Sequence, residues 1–315
     1  RLVDKAGRET GLGAVEIRRR NVILAAQMPY VSPMEITYDS GDFEKNLEDC
    51  ISFADWFGFP QRRALAHDRG KLRGIGMALY VESTVGDTNE SITIQFNDND
   101  SVTLTGGTKS SGQGHGTVFS QFLHETLGVP FEKIIYEEGD TDTLPQGGGS
   151  GGSRSTYMIG VAVKMGADKI IEKGKRLAAH LLETSEADIR FSDGNFTVAG
   201  TDRSIDVMAL AVAARDAAKL PEGMEPGLDE SAQSEVEDPT IPNGCHIVEV
   251  EVDPDTGALE LETYTAVNDF GRVINPQLLE GQIQGGLAQG FGQAIFENCI
   301  YDPESGQLLS GSFMD

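Results

Sequence analysis

Two glycine-rich turns, each feeding a helix within the single stretch 106–160, constrain this chain more than any other feature of it. The first turn covers residues 106–116. The apolar positions after it, Val118, Phe119, Phe122, Leu123 and Leu127, recur at helical spacing. Gly128 and Pro130 supply a stop signal, and residues 134–136 read as a short buried strand. The second turn, 147–152, leads to Ser153 as the expected N-cap of a long helix reaching about residue 183. Helix N-termini offer unpaired backbone N–H groups and partial positive charge, and glycine lets a ligand approach the main chain closely. Two such ends so near one another point to a site for an extended, anionic, polar ligand.

The side chains around these turns agree with that reading. Gln113, His115, Thr117, Ser153, Arg154, Ser155 and Thr156 are hydrogen-bond donors with one fixed cation among them, and no nucleophile–base pair stands out. Other chemistries fail on pattern. No G-x-x-x-x-G-K-[ST] loop occurs here. Gly147, Gly149 and Gly152 fit G-x-G-x-x-G, but no strand lies immediately upstream. His124 and Glu125 lack the second histidine of a zinc-protease helix, because position 128 is Gly. Two alternatives stay open: a non-catalytic binding or assembly module whose glycine loops are structural, and an unrelated nucleotide-binding enzyme.

The net charge of −25, from 25 Lys+Arg against 50 Asp+Glu, argues against nucleic acid and anionic membranes as partners. An anionic ligand would have to be held by local dipoles against that field, which screening over about 10 Å makes tolerable. At 315 residues the chain has room for about two domains. No apolar run approaches the roughly 20 residues of a membrane span, and no secretory signal opens the sequence, so a cytoplasmic protein is expected. Cys50, Cys245 and Cys299 form no C-x-x-C pair and are expected as buried, reduced thiols.

Residues 1–27 read as helical with a break at 11–13, the arginines 18–20 as a solvated face, and 28–41 as loop. A helix is expected over 43–57 with Trp56 in the core, then a strand at 74–82 and a hairpin of 91–96 with 101–105. A second hairpin turns at 192–195, a small helix begins at Ser204, and 221–240, with seven acids and no base, reads as a loop or linker, mobile unless a partner covers it. Hairpin strands 246–253 and 258–267 follow, and a similar D-P-x-[ST]-G turn recurs at 302–306. Asn275 is placed as an N-cap with Pro276 at the first helical position. The helix beyond carries Gly281, Gly285, Gly286, Gly290 and Gly292. Each interior glycine costs roughly 0.5–1 kcal/mol relative to alanine, so close approach by a neighbouring helix or by a ligand should offset it.

Gly112, Gln113, Gly114, His115, Gly116 and Thr117 together resemble the G-Q-G-H-x-T segment of molybdenum hydroxylase large subunits. That family comprises the xanthine dehydrogenases, aldehyde oxidoreductases and aerobic carbon monoxide dehydrogenases. Residues 139–142 with 151–156, and the segment 267–292, resemble its next cofactor segments in the same order. The resemblance implies an α+β fold of the aldehyde oxidase/xanthine dehydrogenase type, with mixed or antiparallel sheets flanked by helices. Residues 1–70 would end a first molybdopterin-binding domain, and 71–315 would form a second, truncated at its C-terminus and carrying the acidic loop 221–240.

It also implies a molybdopterin cytosine dinucleotide cofactor with molybdenum, a small-molecule substrate, and 2Fe-2S and FAD subunits as partners in a homodimer of heteromers. Gln113 would donate to an oxo ligand on molybdenum, and Gly112, Gly114, His115 and Thr117 would line the pterin and its phosphate. Ser153, Arg154, Ser155 and Thr156 would hold the dinucleotide extension. Asn275 and Gln282 would close the far side, and no residue would ligate the metal. Position 116 is Gly where relatives often carry Glu, and 268 is Asn where many have Asp. The sequence starts at Arg1 without Met and stops at Asp315 within an apolar segment, so an excised piece is expected. It holds no G-x-G-E-A-G-like segment, which carries the family's catalytic glutamate, so the resemblance implies a piece inactive by itself.

Overall fold

The computed structural model describes residues 1–84, 89–144, 146–236 and 238–312. Glu237 of the acidic stretch and the last three residues of the expected second domain therefore lie outside the described residues.

The chain opens on helices α1 (Leu2–Glu9) and α2 (Gly13–Arg19), broken where glycines 11 and 13 take positive φ. A short ribbon, β1 (Tyr30–Val31) with β2 (Thr37–Tyr38), precedes helices α3 (Phe43–Phe53) and α4 (Phe59–Asp68). Then come β3 (Leu72–Val81), β4 (Asn89–Phe96), β5 (Val102–Gly106), α5 (His115–Leu127) and β6 (Ile134–Glu138). The long helix α6 (Ser155–Leu181) leads to β7 (Ile189–Ser192), β8 (Asn195–Val198), β9 (Ser204–Asp206) and α7 (Val207–Ala214). The remaining elements are β10 (Glu230–Glu235), β11 (Asn243–Val252), β12 (Leu259–Asp269) and α8 (Pro276–Phe291).

These elements make an α+β fold with two principal sheets. One has the order β10-β4-β5-β6, antiparallel except for the parallel pair of β5 with β6, and packs against α5 and α6. Its core is built from Ile92, Ile94, Leu104, Phe119, Leu123, Ile159 and Ile170, each fully buried. Leu104 sits on a strand with neighbours on both sides, and Leu104→Ala is expected to destabilise the fold by about 2–5 kcal/mol through lost burial and a cavity. Urea unfolding followed by circular dichroism would show it. The second sheet, β12-β11-β3, is antiparallel throughout and is covered on one face by α3 and α4. Among the described residues, no helix is long and apolar enough to cross a membrane.

Several expectations are corrected, among them the helix over 43–57, which ends at Phe53. The acidic stretch 221–240 is not all loop, because residues 230–235 add an edge strand to β4 in which Ala232 and Ser234 face inward and Ser231, Gln233 and Glu235 outward. Charge along an edge strand is compatible with pairing on one side while discouraging pairing on the other. Arg18 is not solvated: its guanidinium reaches Asp4 at 2.8 Å and donates to the Met77 carbonyl at 2.9 Å. Ser204 starts a strand, and the helix after it is capped by Asp206, which accepts from the Ala209 N–H at 2.9 Å. Cys50 and Cys245 are buried as expected, but Cys299 is exposed, in a C-terminal stretch where little packs over it.

A candidate cofactor site where three segments meet

The two glycine turns lie side by side over the end of the first sheet. Gly114 forms the N-terminal boundary of α5 with φ +80°, and Arg154 that of α6; neither helix start carries a side-chain cap. Ser153, expected as the cap, instead adopts a left-handed φ of +59° just before the helix. The third segment reaches these turns through Asn275. Its Oδ1 accepts from the Leu278 N–H at 3.0 Å, capping α8, while its Nδ2 donates to Gln121 Oε1 on α5 at 2.9 Å. Leu278 then packs on Gly114 so closely that a Cβ there would lie 2.8 Å from the leucine.

Between the three segments is a cavity of about 700 Å³. Gln113 comes to it from the first turn, Ser153, Thr156 and Tyr157 from the second, and Asn275 and Gln282 from the third. Its volume falls in the range of small-molecule and cofactor sites, roughly 300–1,000 Å³. A second, more apolar hollow of about 670 Å³ adjoins it beneath α8, sharing Tyr80, Phe270 and Gln282. No residue of α8 is buried, and a Cβ placed at Gly281, Gly285, Gly286 or Gly290 would meet nothing within 4 Å. The glycines of α8 therefore do not serve helix packing among the described residues.

The sequence-predicted residues divide in two. Gln113, Ser153, Thr156, Asn275 and Gln282 line the cavity. Gly112, Gly114, Thr117 and Ser155 belong to the same turns and helix starts but are not among its lining residues. His115 and Arg154 are turned inward. His115 is 4% exposed, with Nδ1 3.2 Å from Thr108 Oγ1 and 3.5 Å from Glu138 Oε2, and its ring packs on Phe119. Arg154, 2% exposed, pairs with the fully buried Glu90 at 2.8 Å, so its guanidinium is not the cation of the cavity.

That cation is Arg272, exposed on the loop between β12 and α8 and, among the described residues, without an ion-pair partner. The sequence pattern of segment 267–292 assigns this arginine no role. The signal was a single basic residue three positions before the N-cap of the glycine-rich helix. Acidic groups also line the cavity, Asp39, Glu82 and Asp269, so a multiply charged ligand would meet mixed charge there. Gln113 is held on its own turn: Oε1 accepts from the Ser111 N–H at 2.5 Å. Asn268 accepts through Oδ1 from Tyr80 at 2.9 Å and from His246 Nε2 at 2.8 Å.

Burial holds the His115 imidazole below its ordinary value of 6.5, an effect the Glu138 carboxylate only partly opposes. The unfolded chain therefore binds this proton more readily than the folded one, and folding stability should fall as pH drops through about 6.5 and below. His115→Phe keeps the ring packing and should flatten that part of the stability profile, measured by urea unfolding between pH 5 and 7.5.

The chain matches the family model described as molybdopterin cofactor-binding domain over residues 49–315. It is 35% identical to the nicotine 6-hydroxylase large subunit of Paenarthrobacter nicotinovorans, aligning over 100% of this chain and 40% of that protein. In structure it is similar to quinoline 2-oxidoreductase from Pseudomonas putida 86, with a TM-score of 0.91 and 34% identity over 100% of this chain and 42% of the other. It is also similar to carbon monoxide dehydrogenase from Oligotropha carboxidovorans, with a TM-score of 0.92 and 32% identity over 99% and 41%. The chain thus spans about two fifths of the length of the relatives it matches.

Proposed function

We propose, from the premise that this chain belongs to the molybdopterin cofactor-binding family of molybdenum hydroxylase large subunits, that its cavity receives the cytosine dinucleotide form of that cofactor. One observation carries the reading: segments far apart in sequence each send hydrogen-bonding side chains to a single hollow of about 700 Å³. The residues fit such a group. Gln113, Ser153, Thr156 and Gln282 are neutral donors suited to a pterin and a pyrophosphate, and Arg272 supplies a fork-shaped cation for phosphate oxygens. The bared glycine backbone of α8 leaves room for a flat ring system against the helix.

When bound, the molybdenum–pterin group supplies the redox chemistry, oxidation of a C–H centre or of carbon monoxide with water as oxygen source. The residues of this chain bind it, orient it and limit its exposure to solvent. No G-x-G-E-A-G-like segment occurs in this sequence, and no catalytic glutamate is assigned within it. Electrons would be accepted by 2Fe-2S and FAD subunits of the same complex. The substrate is an aldehyde, an N-heterocycle or carbon monoxide.

The test is to express the polypeptide as encoded, together with its partner subunits, and to assay molybdenum and nucleotide released on denaturation. Near-stoichiometric molybdenum with cytidine monophosphate is expected. Protein that carries neither, yet is folded, would favour a module whose glycine loops serve only structure.

A further inference from the structure

The structure assigns Glu90 and Arg154 a positioning role: a buried clasp that ties the second glycine turn to β4, against Gly107 of the first turn, and so fixes the wall of the proposed cofactor cavity. Arg154 donates through Nη1 to Glu90 Oε2 at 2.8 Å and to the Gly149 carbonyl at 2.9 Å, and through Nη2 to the Asn89 carbonyl at 2.9 Å. Glu90 Oε2 also accepts from the Gly148 N–H at 3.2 Å. One ion pair thus holds the end of β4 and two points of the second turn, with both side chains at most 2% exposed.

The glycines around the pair are shaped to it. A Cβ on Gly107 would lie 2.0 Å from Glu90 Oε1, and one on Gly148 would lie 2.5 Å from the Arg154 guanidinium. Gly107 and Gly147 touch through their backbones, and a Cβ on Gly147 would lie 2.5 Å from the Gly107 carbonyl oxygen. Outside the pair, the Ser150 hydroxyl joins the turns again, donating to the Lys109 carbonyl and accepting from the Lys109 N–H at 3.2 Å. With residue 154 anchored inward, Ser153 on one side and Thr156 on the other face the cavity. A guanidinium is needed because three acceptors in different directions must be met from one side chain, which an ammonium on a flexible stem does not do from a fixed position.

This inference rests on the proposed cavity for its consequence, but its structural half is read independently. Arg154→Lys and the charge-free pair Glu90→Gln with Arg154→Met would be made in the full polypeptide and compared with wild type by amide hydrogen exchange and by released cytidine nucleotide. Exchange in residues 106–116 and 147–153 should accelerate at least tenfold in both variants, while β11 remains protected as in wild type, and nucleotide content should fall at least fivefold. Unchanged exchange in those turns would overturn the clasp, whatever the ligand proves to be. Faster exchange with undiminished nucleotide would overturn its positioning role. If the charge-free pair does not fold, Arg154→Lys, which leaves Glu90 its counter-charge, decides alone. Wild type without any nucleotide would count against the proposed function and leave the exchange result to judge the clasp.

Discussion

Glu90→Ala by itself is expected to cost about 3–5 kcal/mol of folding stability, because it leaves the Arg154 guanidinium buried without its carboxylate. Glu90 is fully buried and Arg154 2% exposed, so water cannot take the carboxylate's place without opening the turns. A loss of that size is a large share of the 5–15 kcal/mol that usually separates folded from unfolded domains. Replacing both partners with neutral side chains should restore most of it, since the desolvation cost of two ions disappears together with their attraction. Denaturant titration of the two variants and of wild type reads both effects. A single-variant loss under about 1 kcal/mol would show that the pair behaves as a solvated surface bridge.

Arg272→Ala is the second large effect expected, this time on binding and not on folding. The side chain is exposed and its removal disturbs no buried group, so the unfolding midpoint should move little. A hydrogen bond to a charged group contributes about 1.5–3 kcal/mol, which corresponds to roughly a 10- to 150-fold loss of affinity for the phosphates of the cofactor. Nucleotide content per folded polypeptide should fall accordingly, and Arg272→Lys should lie between, keeping charge but losing the two-pronged geometry. Wild-type nucleotide content in Arg272→Ala would remove this arginine from the site.

Much of the fold is legible in the sequence because local signals are redundant. The hairpin of β4 with β5 is announced by alternation and an Asn/Asp turn, and α8 by Asn275 followed by Pro276. Both form as read, the first with its turn at 97–100. The acidic stretch misled because charge density suggests solvent. Its alternation, with Ala232 and Ser234 on one face, becomes meaningful only once β4 offers a partner. At the site, the three segments were legible as segments, from glycine content and helix starts. Which side chain points where was not, since Arg154 and Thr156 are neighbours on one helix turn and only the position of Glu90, 64 residues earlier, decides that the arginine faces inward.

The same pair explains why the glycines cannot all be given one role. Gly107, Gly147 and Gly148 are needed by the protein itself, at points where a Cβ would strike the clasp or the opposite backbone. Gly281, Gly285, Gly286 and Gly290 of α8 meet nothing within 4 Å among the described residues, which leaves them free to face a ligand. The reading of glycine loops as structure and the reading of them as cofactor wall each hold for a different set.

Cofactor density in an experimentally determined structure of the loaded complex tests the central claim most directly. The expected result is one continuous, elongated molecule running past Gln113, Ser153, Thr156, Arg272 and Gln282, with Arg154 still bound to Glu90 beneath it. Density for the pterin nucleotide on another face, with this hollow filled by polypeptide, would contradict the claim.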